Sequence, residues 1–186
     1  SSTVAFVASD AGSGGTIAAV TINDSDALAL GAITTAGNLT VTAGGAVTQS
    51  GALVIGGTAT ISASGYNVTL NEATNNFQGA VGITGAVVSV VDAGAIELGA
   101  STVSGTYAVT ATAGGGITNS GVLAITQGAT FTVVGGQSIN LNQSNTFSST
   151  VAFVASDAGS GGTIAAVTIN DSDALALGAI TTAGNL

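Results

Sequence analysis

The residues of this chain that could do chemistry are almost all carboxylates. The chain has nine Asp and Glu residues but no Lys, Arg, His or Cys. Without those four side chains it cannot build a Ser–His–Asp triad, a Schiff base, a thiolate site or a cationic phosphate clamp. A carboxylate pair of the glycosidase kind is the one arrangement left, and Glu72, Asp92 and Glu97 would have to converge to supply it. Because their spacing does not demand this, we predict no catalytic residues and no enzyme.

A short acidic run that occurs twice is the best candidate for binding a cation. Asn23, Asp24 and Asp26 lie close together, and the run returns at an offset of 147 with Asp171 and Asp173. Two carboxylates two positions apart, with an amide and backbone carbonyls nearby, offer the oxygen ligands that Ca²⁺ prefers. The run does not match the calcium-binding nonapeptide repeat, and a solvated acidic turn explains the same residues. Calcium is therefore one alternative, and no other cofactor is expected.

The charge of the chain limits its partners. The formal net charge is −9, with no basic side chain to offset it. Nucleic acids and anionic membrane surfaces are bound through Lys and Arg, so neither is an expected partner. The longest uncharged apolar stretch, residues 80–91, is too short and too rich in Gly to insert into a bilayer. The charge is compatible with three other kinds of partner, which are cationic molecules, divalent ions and a host or matrix surface.

The chain repeats itself at two lengths. Residues 1–39 recur unchanged at 148–186, an offset of 147. Within that period, residues 39–63 align with 109–133 at an offset of 70, and 12 of the 25 positions are identical. Such repeats are the sequence signature of a solenoid or a tandem array. An engineered duplication would give the same sequence.

Two alternating half-units describe this hierarchy. We interpret residues 1–186 as one continuous solenoid cut from a longer array. Residues 1–66 end a long half-unit, 67–137 form a short one, and 138–186 begin the next long one. The extra length of the long half-unit is ascribed to the Gly-rich insert that begins at Asp10.

A third, shorter period predicts the strands. Segments such as LTVTA and ATISA alternate apolar residues with Thr or Ser, which is typical of a strand with one buried face. Disorder is a poor alternative, because 46% of the residues are apolar. Strand-like segments recur about every 20 to 22 residues in three series, which are 39–43, 59–63 and 80–84; 46–50, 67–71 and 87–91; and 52–55, 75–77 and 96–99.

Three series at one spacing predict a coil of three strands, each paired in parallel with its equivalent in the next coil. The predicted fold is therefore all-β, a right-handed parallel β-helix (β-solenoid) with about three short strands per coil and essentially no helix. We expect three coils in each half-unit and six in each 147-residue period, or an axial repeat of about 29 Å at about 4.8 Å per coil.

Gly and Asn residues suggest how the coils turn and stack. Gly-Gly and Ser-Gly pairs fall between the predicted strands, where we expect corners that need a positive φ. Asn38, Asn71, Asn76, Asn140 and Asn142 follow strands or lie near turns, so their amides are candidates for a ladder that bonds one coil to the next. Ordinary turn-forming preference explains the same Asn residues.

The repeat pattern also resembles a known family. The segments that carry the resemblance are AGNLTVTAGGAVTQSGALVIGGTATISA, NVTLNEATNNFQGAV and DAGAIELGASTVSGTYAVTATAGG. They resemble the repeat regions of filamentous-haemagglutinin-like giant adhesins, which bacteria secrete by two-partner or autotransporter routes. The resemblance implies a right-handed β-helix shaft outside the cell that serves adhesion, biofilm or surface structure, and it carries over no functional residues. Family shafts usually drift between repeats, whereas this chain repeats without change, which favours a regular fibre.

These patterns together predict a structural role. The expected function is a repeat segment of an extracellular bacterial fibre or adhesin shaft, acting as a rigid spacer on the cell surface. Its expected partners are neighbouring repeats or other copies of the chain, associated end to end, because an uncapped solenoid exposes edge strands. The alternatives are a functional amyloid of stacked chains and a solenoid whose outward Thr rows bind glycans or ice.

Overall fold

The part of the chain that is described consists of strands and turns. A computed structural model describes residues 2–6, 17–157, 162–178, 180 and 182. These residues form 21 strands and no helix. The Gly-rich insert that begins at Asp10 lies outside them.

Most of the strands are only two to six residues long. Their bounds are β1 Ser2–Phe6, β2 Val20–Asp24, β3 Leu28–Thr35, β4 Leu39–Ala43, β5 Val47–Gln49, β6 Leu53–Ile55, β7 Ala59–Ser62, β8 Val68–Leu70, β9 Asn76–Phe77, β10 Val81–Gly85, β11 Val88–Asp92, β12 Ile96–Leu98, β13 Ser101–Val103, β14 Tyr107–Ala111, β15 Ile117–Asn119, β16 Leu123–Ile125, β17 Ala129–Val133, β18 Ser138–Phe147, β19 Thr150–Ala155, β20 Ala166–Asp171 and β21 Ala176–Leu177.

The strands stack in parallel as a β-solenoid of about seven turns. Each strand lies beside the strand one coil earlier and the strand one coil later. Leu39 of β4, for example, is the register partner of Val20 in β2 and of Ala59 in β7. The predicted all-β parallel solenoid is confirmed.

Three strands make one turn and define three faces. Face 1 contains β2, β4, β7, β10, β13 and β16, and face 2 contains β5, β8, β11, β14, β17, β19 and β21. Face 3 contains the pair β6 and β9 in the lower coils and the pair β12 and β15 above them. No register partner joins β9 to β12, and β12 instead meets β10 of face 1, where Leu98 is the partner of Val81. Two long strands pass a corner without a break, since β3 belongs to faces 2 and 3 and β18 to faces 3 and 1. The three predicted series coincide with strands of faces 1, 2 and 3, which confirms three strands per coil.

The number of coils per period differs from the prediction. Seven register steps on face 2 lead from Leu28 to Leu177, which is two residues beyond Leu175, the repeat equivalent of Leu28. The steps join Leu28, Val47, Val68, Val88, Tyr107, Ala129, Val151 and Leu177. One period therefore contains seven coils rather than six, and its axial repeat is about 34 Å at about 4.8 Å per coil.

The predicted number of coils is too low because strands at equivalent positions of the two half-units lie on different faces. At the offset of 70, β5 corresponds to β15, β6 to β16 and β7 to β17. β5 is on face 2 but β15 on face 3, β6 is on face 3 but β16 on face 1, and β7 is on face 1 but β17 on face 2. The short half-unit, residues 67–137, contains the ten strands β8 to β17, or three coils and one further strand, so the half-unit that follows it is turned by one face.

The core is a narrow column of inward side chains. In β4, Leu39, Val41 and Ala43 point in while the two Thr residues between them are exposed. One part of the column is aromatic. The Phe131 ring lies 5.9 Å from the Phe153 ring in a stacked pair and 6.1 Å from the Tyr107 ring, edge to face. Ring pairs at these distances stabilise a core beyond the area that they bury.

Glycine forms the corners for a reason other than the predicted positive φ. Among the described glycines, positive φ occurs at only four, Gly65, Gly115, Gly116 and Gly136. At many of the other corner glycines the neighbouring coil comes too close for a side chain. A Cβ added to Gly45 or to Gly51 would lie 2.6 Å from the backbone nitrogen of Ala27 or Ala32, respectively, in the coil before.

Candidate functional site

The first acidic run forms a turn at the end of β2. Asp24 is the last residue of the strand, and its Oδ1 accepts a hydrogen bond from the Asp26 backbone N–H at 3.0 Å. Asn23 and Asp26 are exposed, and Asp24 is partly exposed. A carboxylate that caps the N–H two residues later is a common way to close a turn.

The second acidic run has the same local structure and one additional contact. Asp171 ends β20, and its Oδ1 accepts from the Asp173 N–H at 3.4 Å and from the Phe147 N–H of the preceding coil at 3.1 Å. Its Oδ2 is buried and has no hydrogen-bond partner among the described residues. This carboxylate therefore joins two coils as well as closing its own turn.

The described residues bring no three carboxylates together. Across 2–6, 17–157, 162–178, 180 and 182, no group of three or more Asp, Glu, His or Cys residues is placed to hold a metal ion. In each run the first carboxylate, that of Asp24 or Asp171, accepts backbone N–H groups through its Oδ1, as a turn requires. Calcium at Asn23, Asp24, Asp26, Asp171 and Asp173 stays a prediction.

The three carboxylates considered for catalysis lie in different environments. Asp92 is fully buried at the end of β11, where its two oxygens accept from the Gly94 N–H at 2.6 Å and the Phe77 N–H at 2.8 Å. Burial raises the pKa of the Asp92 carboxyl, and these two N–H bonds lower it in part. Glu97 is exposed on face 3, and Glu72 is partly buried in the turn after β8, in the same coil as Asn75. Asp92 thus joins two coils, as Asp171 does.

A buried amide cluster, which sequence reasoning missed, ties together the coils around Asn75. The Asn75 side chain is fully buried. Its Oδ1 accepts from Gln49 Nε2 at 2.7 Å and from the Leu53 N–H at 2.9 Å. Its Nδ2 lies 3.0 Å from Gln49 Oε1, 3.1 Å from the Val91 carbonyl and 3.3 Å from the Leu70 carbonyl. One side chain therefore bridges backbone groups of three consecutive coils.

A second cluster of the same design surrounds Asn145. Asn145 is also fully buried. Its Oδ1 accepts from Asn119 Nδ2 at 2.8 Å and from the Leu123 N–H at 3.0 Å. Its Nδ2 donates to the carbonyls of Leu141 and Asn170, both at 3.1 Å. The Asn145 amide is thus fully paired, which makes a buried polar group specific as well as stabilising, whereas the Oδ1 of Asn119 is buried with no hydrogen-bond partner among the described residues.

The two clusters are equivalent, and a sequence signal marks them. At the half-unit offset of 70, Asn119 is the equivalent of Gln49 and Asn145 is the equivalent of Asn75. The candidate ladder residues Asn71, Asn140 and Asn142 are exposed. Their side chains make no hydrogen bond to a neighbouring coil among the described residues, and the Oδ1 of Asn142 accepts only from the adjacent Gln143, so the structure does not place a ladder there. Among the other candidates, the Oδ1 of Asn38 does reach the next coil, where it accepts from the Thr58 N–H at 3.0 Å.

The comparison with protein families gives two successive matches along the chain. A family model described as repeats of unknown function (DUF5649) matches residues 17–84 and 84–154. The two matches together cover more than half of the 186 residues. The chain belongs to the DUF5649 repeat family. Each matched DUF5649 copy contains one amide cluster, the first around Asn75 and the second around Asn145.

Searches of curated proteins and of solved structures give no match for this DUF5649 chain. Among the described residues there is no helix of the length and apolarity needed to cross a membrane.

The outer surface of the DUF5649 solenoid offers arrays rather than a cavity. The described residues enclose no pocket. On face 1, two ranks of small polar side chains run along the stack, about 4.8 Å apart between strands and about 6.8 Å apart within a strand. The ranks in β2, β4 and β7 are Thr21, Thr40 and Thr60, and Asn23, Thr42 and Ser62.

Proposed function

We propose that this chain is a rigid structural segment of an extracellular bacterial fibre or adhesin shaft. The observation that carries the proposal is the seven-coil period, in which an unchanged 39-residue sequence returns in one continuous parallel stack. A part that recurs without change and forms no pocket in its described residues acts through length and repetition rather than through a unique site. The resemblance to filamentous-haemagglutinin-like adhesin repeats supports the same role and the location outside the cell.

The proposed rigidity has identifiable sources. Parallel hydrogen-bond ladders run along all three faces, and the amide clusters around Asn75 and Asn145 each fix three coils in register. The net charge of −9 keeps neighbouring shafts apart by repulsion. Contact with a surface would then be made elsewhere along the fibre, and the segment would set the distance.

The length of the particle tests this proposal. Chains with one, two and three 147-residue periods are compared by small-angle scattering and electron microscopy. Each added period should lengthen a rod of constant width by about 34 Å. Particles that grow in width, or compact particles whose length does not follow the period count, would contradict the shaft. Antibody labelling of intact source cells tests the extracellular location, and labelling only after lysis would contradict it.

A second candidate function rests on the polar ranks of face 1. Outward Thr residues in a flat two-dimensional array can order water, so this face is a candidate for ice binding. Thermal hysteresis of the chain is compared with that of Thr40→Leu, with Thr48→Leu on face 2 as the matched control. Loss of thermal hysteresis in Thr40→Leu but not in Thr48→Leu would support ice binding. A parent chain without thermal hysteresis would rule out ice binding.

A further inference from the structure

Tyr66 is the one accessible side chain of this solenoid that oxidants attack readily. The chain has no Cys, Met, Trp or His, which are the other side chains that oxidants commonly modify, and it has two tyrosines. Tyr107 is 1% exposed in the aromatic part of the core, whereas Tyr66 is 49% exposed. Oxidation of a phenol is therefore confined to one position in each 147-residue period.

Tyr66 lies in a turn that stands away from the neighbouring coils. Residues 64–67 are all exposed, and they join β7 on face 1 to β8 on face 2. Gly65 has a φ of +80°, which favours glycine, and a Cβ on it would meet no atom within 4 Å. At the corner residue Gly121, by contrast, a Cβ would collide with the Ala100 backbone nitrogen of the coil before.

The backbone of this turn is nevertheless fixed to the coils on both sides. The Tyr66 N–H donates to the Ala63 carbonyl at 2.9 Å within the turn, and the Tyr66 carbonyl accepts from the Ala86 N–H of the next coil at 2.7 Å. The Asn67 carbonyl accepts from the Val47 N–H of the coil before at 2.9 Å. The phenol is thus carried on a rigid base at a constant position on the shaft.

The surroundings of Tyr66 carry few of the charges that make copies of this chain repel one another. No Asp or Glu occurs between residues 27 and 71 or between 73 and 91. At the same corner the nearest acids, Asp24 and Asp26, lie two coils lower, about 10 Å along the axis. That separation is about one Debye length at physiological salt, so two copies can approach each other at this turn.

We propose that Tyr66 is an oxidative cross-linking site, at which two copies of this chain are joined side by side through a dityrosine bond. Successive Tyr66 positions of one shaft lie about 34 Å apart along the axis, too far to couple with each other. The partner is therefore Tyr66 of a second shaft, in a contact that presents the same turn on both sides. The covalent bond holds together shafts that the net charge of −9 otherwise keeps apart.

The coupling consumes hydrogen peroxide and is catalysed by a haem peroxidase from the surroundings. Each of two Tyr66 hydroxyl groups gives up one hydrogen atom, and one molecule of peroxide is reduced to two molecules of water. The two phenoxyl radicals form one bond between ring carbons adjacent to the oxygen-bearing carbons. Each of these carbons then loses its hydrogen as a proton and the oxygen gains one, so both hydroxyl groups are restored and the product has two hydrogen atoms fewer than two chains.

This cross-link rests on the proposed extracellular fibre, but the two can fail separately. Tyr66→Phe chains should pass the length test above unchanged, because the phenol hydroxyl takes no part in the stack of coils. Rods that lengthen with the period count but never cross-link would overturn this inference and leave the shaft intact. Compact particles would contradict the shaft whatever Tyr66 does.

The test treats the purified full chain with hydrogen peroxide and a haem peroxidase. Denaturing gel electrophoresis and dityrosine fluorescence follow the products. The parent should give dimers and no larger species, because each chain has one accessible phenol. Tyr107→Phe should give as much dimer as the parent, and Tyr66→Phe should give none. Dimers of Tyr66→Phe, or a parent that stays monomeric, would overturn the proposal.

A relocated tyrosine tests whether the turn itself favours coupling. Val122 is 46% exposed, at the corner where Gly121 packs directly against Ala100. The double variant Tyr66→Phe, Val122→Tyr should dimerise several-fold more slowly than the parent, because its phenol is not carried on a turn that stands away from the shaft. Equal rates would mean that any exposed tyrosine suffices, which overturns the assignment of this turn.

Native material shows whether the bond forms on the source cells. The chain has no Lys or Arg for trypsin, so fibres are digested with a protease that cleaves after Asp and Glu. Mass spectrometry should detect two copies of the peptide 27–72 joined at Tyr66, with two hydrogen atoms fewer than two separate peptides. Recovery of the unlinked peptide alone would contradict the proposal.

Discussion

Residues 17–35 and 164–182 have one sequence and two environments, near opposite ends of the described solenoid. In the first copy Val20, Ile22 and Leu30 are buried below the next coil. In the second copy Val167 is still buried, but Ile169 is only partly so and Leu177 is exposed. A coil of this solenoid therefore has no core of its own, and its inward side chains become a core only when another coil lies on each side.

The largest expected effect is a direct test of that difference. Leu30→Ala should lower the free energy of unfolding by about 2–5 kcal/mol, because it leaves a cavity between packed coils. Leu177→Ala, the same substitution in the same sequence, should lower it by less than about 1 kcal/mol. Urea unfolding followed by circular dichroism measures both. Equal losses would show that the two copies are equally covered in solution.

The amide clusters allow the same comparison for polar groups. Asn75→Ala should cost about 3 kcal/mol, since it leaves buried backbone groups of several coils without partners. Asn145→Ala should cost less, because the coil above Asn145 has no described coil over it and can adjust. Asn76→Ala, at the exposed neighbouring position, is the control and should change the free energy of unfolding by no more than about 0.5 kcal/mol. An Asn145 variant less stable than the Asn75 variant would contradict the ordering.

A smaller gain in stability is expected at Tyr107. Its hydroxyl group is buried and makes no hydrogen bond of good geometry among the described residues. The nearby Ser101 hydroxyl lowers the Tyr107 pKa against the larger effect of burial, but that hydroxyl already donates to the Gly99 carbonyl and accepts from the Ile83 N–H. Tyr107→Phe removes this unpaired group and keeps the ring that packs on Phe131, so the free energy of unfolding should rise by about 1 kcal/mol. Phe131→Leu is the control that alters the ring packing instead and should destabilise. A less stable Tyr107→Phe protein would mean that the hydroxyl has a partner in solution.

The smallest effect concerns the pH dependence of stability at Asp92. Burial raises the pKa of this carboxyl above its ordinary value of 3.8 in the folded state. The folded chain thus keeps the proton at pH values where the unfolded chain has lost it. Its contribution to stability is present below about pH 4 and is lost as the pH rises through the raised pKa.

Comparing the parent chain with Asp92→Asn isolates this contribution from the general repulsion among the carboxylates. The stability of the parent relative to the variant should increase as the solution is acidified from neutral pH to about pH 4. Urea titrations at a series of pH values measure it. A relative stability that is constant or falls on acidification would contradict the direction of the shift.

Sequence reasoning located the strands because their signal is local. In β4 and β7 the inward and outward residues alternate within a few positions, so the buried face can be read without knowing the neighbours. The coil count could not be read in this way. The alignment at an offset of 70 shows that β5 resembles β15 but does not show that the two lie on different faces.

The amide clusters escaped prediction for a related reason. Gln49 and Asn75 are far apart in the sequence, and only the register of the coils brings their amides within 2.7 Å. Asp92 and Asp171 likewise have the appearance of turn residues, and their contacts to Phe77 and Phe147 become apparent only when the preceding coil is in place. What could not be predicted is what depends on contacts between coils.

The one-face shift between half-units has a genetic consequence. Recombination between two neighbouring half-units would delete or insert one half-unit, and everything beyond that point would rotate by a third of a turn around the axis. Recombination between whole periods changes the length by seven complete coils and leaves the orientation of every later residue nearly unchanged. A lineage could therefore lengthen or shorten the array freely in steps of one whole period while whatever decorates one side continues to face the same direction.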